Sequence, residues 1–150
     1  MPDADVTPAQ HRGLAITCNN TTWEMIDAER NPVNDEEMLR RAYAAAYHWQ
    51  RAEGAGPVNE VRAVWLLSKV HRLAGHHERA LHYADRCVGL CHREGIADFD
   101  LAYGLEARAR ALAALGRADE AASAWAAAKA VPVADAEDRA VVEADLAEGP

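Results

Sequence analysis

Large aromatic side chains are scarce in this chain of 150 residues: it has one Phe, four Tyr and four Trp. A β-sandwich interior draws on β-branched and aromatic bulk, so the composition argues against that class. Cysteine is scarce as well. Three of them, an odd number in a chain long enough to build its own core, fit reduced thiols better than a disulfide framework. No uninterrupted apolar run approaches the roughly 18 residues of a membrane span. The opening stretch MPDADVTPAQ is acidic and lacks the apolar segment of a secretory leader, so the expected compartment is the cytoplasm. Positive charge is in deficit, with 16 Lys+Arg against 24 Asp+Glu and a net charge of −8. General attraction to nucleic acid or to an anionic membrane surface is not expected of such a chain. Local catalytic signatures are missing too: no Gly-rich phosphate loop, no Gly-x-Ser-x-Gly, no His-Glu-x-x-His and no dinucleotide fingerprint. Ser68 and Ser123 have no adjacent base, so no catalytic residue is assigned and no cofactor is implied.

Alanine is what the chain has in quantity, 34 residues within a hydrophobic share of 50%. Apolar positions recur at three and four residues almost throughout, and no stretch keeps a two-residue alternation, which predicts an all-α chain of six or seven helices. Thr7-Pro8-Ala9-Gln10 reads as a capping box with Pro at the first helical position, opening a helix that runs to about Arg30 before Asn31-Pro32. The second helix is expected from Asn34 or Asp35 to about Glu53. The third spans Pro57 to Ala74, the fourth His77 to Arg93, the fifth starts near Asp98 and ends before Gly116, and the sixth covers Ala118 to Ala130. A last one, capped by Asp135, reaches about Ala147. Short connections make successive helices antiparallel neighbours in a single domain.

Two segments repeat each other. Leu73-Ala74-Gly75-His76-His77-Glu78-Arg79-Ala80-Leu81 and Ala114-Leu115-Gly116-Arg117-Ala118-Asp119-Glu120-Ala121-Ala122 share a Gly turn, an acidic residue and a small residue at matching places, 41 residues apart. Over about residues 57–132 this resembles the tetratricopeptide repeat, in which paired helices meet at a Gly turn and small residues allow close approach. Gly116, Ala121, Trp125, Ala128 and Pro132 match that pattern in the later copy, and Gly75, Ala80, Ala84 and Cys87 in the earlier one. The spacing departs from the family's 34. The resemblance implies a short stack in which residues 7–53 form a degenerate first pair, residues 57–132 two repeats, and residues 135–147 a capping helix.

It also implies a binding module. The first helix of each pair lines the concave face in that family, which places Arg62, Trp65, Lys69 and Arg72 beside Tyr103, Glu106 and Arg110. A locally basic, Trp-containing groove would suit a protein or peptide, possibly one bearing a carboxylate. The family's carboxylate-clamp variant is not matched, because Lys69 stands where it needs Asn, and Leu66 and Ala107 where it needs polar residues.

A rival site is drawn from the residues themselves. Asn19, Asn20, Thr21 and Thr22 sit mid-helix in a chain that elsewhere uses Ala, which reads either as a functional departure or as a helix break with Asn20 capping a new helix. Asn20, Trp23, Glu24, Trp49 and His71 are expected to surround His48 in a small-molecule cleft between the first three helices, where imidazole serves as acid, base or ligand. Seven histidines invite a metal reading, but their spacings are poor. Cys87 and Cys91 fall on an apolar stripe with Ala80, Ala84 and Val88, so no metal is assigned. An exposed Ala-rich face also suits pairing of two copies.

Overall fold

The threonine at position 7 caps the first helix as its sequence requires: its hydroxyl accepts from the Gln10 amide at 3.1 Å, and the Gln10 side chain accepts from the Thr7 amide at 2.8 Å. In the computed structural model, which describes residues 5–150, seven helices follow in order: α1 Pro8–Ile26, α2 Pro32–Trp49, α3 Pro57–Leu73, α4 His77–Glu94, α5 Asp98–Ala114, α6 Ala118–Ala130 and α7 Ala136–Asp145. No strand occurs among the described residues, and the fold is all-α. The first four residues of the acidic opening stretch lie outside them. No described helix is long and apolar enough to cross a membrane.

Each helix from α1 to α6 packs on the next, while α7 packs back on α5, and cross-contacts set the directions. The Ser68 hydroxyl on α3 donates to the Ala80 carbonyl on α4, and Glu60 pairs with Arg86 at 3.2 Å, so α3 and α4 run antiparallel. Arg108 pairs with Asp85 at 2.9 Å between α5 and α4. Contacts also skip one helix, from α3 to α5 and from α5 to α7, which puts these three side by side on one face, and Trp23 of α1 reaches the same face to stack on Trp65 of α3.

The repeated turns are identical in chemistry. After α3 the Gly75 amide donates to Arg72 and the His76 amide to His71; after α5 the Gly116 amide donates to Ala113 and the Arg117 amide to Leu112. This pattern needs a left-handed residue, supplied by Gly75 at φ 82° and Gly116 at φ 75°. The small residues behind the turns, Ala80, Ala84, Ala121 and Ala128, are all buried. Between α4 and α5, Gly104 marks a close approach of a different kind: its backbone is helical, and a Cβ there would lie 3.2 Å from the Cys87 sulfur.

Four boundaries differ from the sequence reading. α1 stops at Ile26, short of Arg30, because the chain turns back and the Arg30 guanidinium takes the freed carbonyls of Met25 and Ala28 while pairing with Asp35 at 3.4 Å. α2 starts earlier than Asn34, since Asn31 is the cap, accepting from the Asn34 amide at 2.9 Å, with Pro32 at the first helical position. It ends at Trp49, ahead of Glu53. α7 ends at Asp145, ahead of Ala147, although Asp135 caps it as expected through the amides of Glu137 and Asp138. The polar stretch at residues 19–22 is no break. Thr21 and Thr22 donate to the carbonyls of Thr17 and Cys18 one turn back, at 2.9 and 2.6 Å, and α1 continues through them.

Candidate functional site: a groove on the odd-numbered helices

The side-by-side odd helices enclose a groove of about 690 Å3. α1 contributes Asn19 and Trp23, α3 Arg62, Trp65, Lys69 and Arg72, α5 Phe99, Asp100, Tyr103, Glu106 and Arg110, and α7 Asp145. All seven residues expected on the concave face line it together. Trp23, which the sequence reading assigned to the rival cleft, belongs here as well. So do Asn19, Phe99, Asp100 and Asp145, which that reading did not place in the groove.

Aromatic rings form the floor and one wall. Trp23 stacks on Trp65 with ring centres 6.1 Å apart and planes inclined at 28°, and Tyr103 meets Trp65 edge-on at 6.0 Å. Trp23 keeps 39% of its surface exposed, so this wall is open to solvent. The Lys69 ammonium lies 5.7 Å from the Trp23 ring centre and 5.8 Å from that of Trp65, within the range where a cation is attracted to an aromatic face.

The groove's charges are partly compensated. Arg62 bonds Asp100 through two nitrogens, at 3.0 and 3.3 Å, and its guanidinium lies over the Phe99 ring. Arg110 pairs with Glu106, which is only 7% exposed, and its guanidinium lies over Trp125. The Tyr103 hydroxyl donates to Asp145 at 2.6 Å; burial first, and that carboxylate next, raise the Tyr103 phenol. Lys69 and Arg72 are the exceptions: among the described residues neither has a carboxylate within the 4.0 Å of an ion pair. Burial lowers both, with Arg72 adding to the effect on Lys69 and Arg110 to that on Arg72, while the field of Glu106 opposes it at both and that of Asp145 at Lys69. The groove is therefore less basic than its four cations suggest, and its uncompensated positive charge is concentrated on one part of α3.

The rival cleft is not assembled. His48 lies in the last turn of α2, opposite the first turns of α1, because the two helices are antiparallel. Its Nδ1 is 2.8 Å from Nδ1 of His11, not near Asn20, Glu24 or His71, and burial followed by His11 and Arg51 lowers it. Trp49 faces Arg12 at 5.7 Å. Asn20 is exposed, and Glu24 reaches Arg41 at 4.0 Å. His71 sits one layer further on, 6% exposed, where Nε2 is 2.8 Å from the Tyr43 hydroxyl and Nδ1 is 3.2 Å from Nδ1 of His76. It also stacks on Tyr83, with ring centres 5.6 Å apart. Burial, with His76 and Arg79 adding to it, lowers His71 to about 4, and burial pushes Tyr43 up to about 12.

Cys87 and Cys91 are fully buried in an apolar cluster with Val61, Val64 and Leu90, and burial raises both thiols. No group of three or more His, Cys, Asp or Glu side chains suited to a metal ion occurs among the described residues. Set against family models, curated proteins and solved structures, the chain matches none of them.

Proposed function

We propose that the chain is a binding module of tetratricopeptide-like construction that receives a protein or peptide segment in the groove of its odd-numbered helices. One observation carries this reading: seven residues from two repeats, and Trp23 from the preceding pair, converge on one open surface that joins an aromatic wall to uncompensated cations. Exposed aromatic area beside a cation is the composition of interface anchors, where Trp, Tyr and Arg carry most of the binding energy. The experiment is a peptide array probed with the folded chain and with Trp65→Ala/Lys69→Glu. Peptides that bind the first and are lost from the second, with unchanged helical circular dichroism, support the reading. Equal binding to both sinks it.

The size of the groove favours a second reading, a compact ligand, since pockets for small molecules span about 300–1,000 Å3. Native mass spectrometry of the protein as purified separates the two: a retained adduct that disappears in Trp65→Ala points to a small molecule, and a bare chain with peptide binding points to the first reading.

A further inference from the structure

We infer that the groove selects an acidic peptide segment in which a carboxylate stands next to an aromatic or aliphatic side chain, with Lys69 and Arg72 taking the carboxylate and Trp23 the apolar group. This rests on the groove being the binding site and adds the chemistry of its occupant.

The charges leave little choice. Of the four cations lining the groove, Arg62 is held by Asp100 and Arg110 by Glu106, while the third carboxylate, Asp145, accepts from Tyr103. Lys69 and Arg72 remain, three residues apart on α3 and hence on neighbouring positions of one face, half-buried and in no ion pair within 4.0 Å among the described residues, with Glu106 acting on both only from a distance. Two like charges so placed repel, and partial burial adds a desolvation cost to each. An anion delivered by a ligand removes both costs, whereas a neutral ligand that covers them increases the second. The lining also limits how much negative charge is welcome. Three carboxylates against four cations leave the wall with one net positive charge, so a single carboxylate is matched and a polyanion such as a nucleic acid strand is opposed by Asp100, Glu106 and Asp145.

The apolar half of the occupant follows from position. The Lys69 ammonium is within 6 Å of both Trp ring centres, so an anion reaching it lies beside the exposed Trp23 face. Both features fit within one residue and its neighbour, or within a C-terminal aromatic or aliphatic residue that carries its own carboxylate.

The test is an array of random 12-residue peptides, each made with a free and with an amidated C-terminus. It is probed with the unaltered full chain, with Trp65→Ala, and with Lys69→Glu/Arg72→Glu, all three compared by circular dichroism. Peptides held by the unaltered chain are expected to be enriched in Asp or Glu next to an aromatic or aliphatic residue. The charge-reversed variant should bind them at least tenfold more weakly and shift its preference to Lys and Arg, a change that mere loss of structure cannot produce. Binding restricted to free C-termini assigns the carboxylate to the chain end, and binding to both forms assigns it to a side chain. Should the double reversal not fold, Lys69→Gln/Arg72→Gln is expected to lose the acidic preference without reversing it. No acidic enrichment, or an acidic preference that survives reversal, overturns this inference while leaving the groove reading in place if Trp65→Ala still abolishes binding. No peptide lost on Trp65→Ala overturns the groove reading itself.

Discussion

Acidification should destabilise this fold most strongly through His71, before most of its carboxylates titrate. The imidazole is 6% exposed and held neutral, its Nε2 2.8 Å from the Tyr43 hydroxyl and its Nδ1 3.2 Å from Nδ1 of His76, and the folded-state value lies near 4. An unfolded chain returns it to about 6.5. Between these values the unfolded state binds more protons than the folded one, so stability falls as pH falls; the loss is absent above about pH 7 and complete below about pH 4. With about 1.4 kcal/mol for each pH unit between the two values, the penalty amounts to about 2 kcal/mol at pH 5 and approaches about 3 kcal/mol at pH 4. The comparison is with His71→Gln, whose amide can donate to or accept from the Tyr43 hydroxyl but does not titrate. Urea unfolding followed by far-ultraviolet circular dichroism at pH 7, 6 and 5 gives both curves. Groups that do not touch His71, His48 among them, contribute equally to the two proteins and cancel. The unaltered chain should lose about 2 kcal/mol more than His71→Gln between pH 7 and pH 5. Parallel curves would refute a neutral, buried His71.

Other substitutions probe the packing and the caps. Gly104→Leu should lower stability by about 2 kcal/mol, since its first carbon already meets the Cys87 sulfur at 3.2 Å, whereas Gly104→Ala should be nearly neutral because helix propensity offsets the strain; urea midpoints report both. Asp98 holds a left-handed backbone at φ 63° and accepts from the amides of Phe99 and Ala134, at 2.8 and 3.0 Å. Asp98→Ala should cost about 1–2 kcal/mol, and Asp98→Gly less because glycine relieves the backbone; thermal melts that rank them the other way would contradict this. Of the three thiols, half-buried Cys18 should react with an aromatic disulfide reagent in the native protein, and Cys87 and Cys91 only after unfolding. Three fast thiols would show that the α3–α4 interior is open.

Where structure is decided locally, the sequence was sufficient. The Gly75 and Gly116 turns, the Thr7 capping box and the Asp135 cap each rest on residues within one turn of one another. The ends of α1 and α2 were less legible because a helical pattern continues past Ile26 and Trp49; Arg30 folding back on freed carbonyls is a contact that periodicity does not register. The cleft around His48 was misread for a related reason. Which residue of α1 faces which residue of α2 depends on the turn at residues 27–31, and that register puts His48 against His11. Trp23 did leave a signal: it precedes Trp65 by 42 residues, close to the 41 that separate the two Gly turns. The missing Gly turn in the first pair kept it from being aligned with the repeats.

The chain carries only two lysines, Lys69 and Lys129. One lies between two indole rings in the groove, and the other is exposed in the last turn of α6. Amine chemistry therefore sorts the molecule by itself. Reductive methylation with a carbon-13 label would place one lysine magnetic resonance probe at the candidate binding surface and one remote from it, the latter an internal reference, both resolved from the α-amine signal by its lower pKa. Groove occupancy could then be followed without mutation, as movement of a single signal.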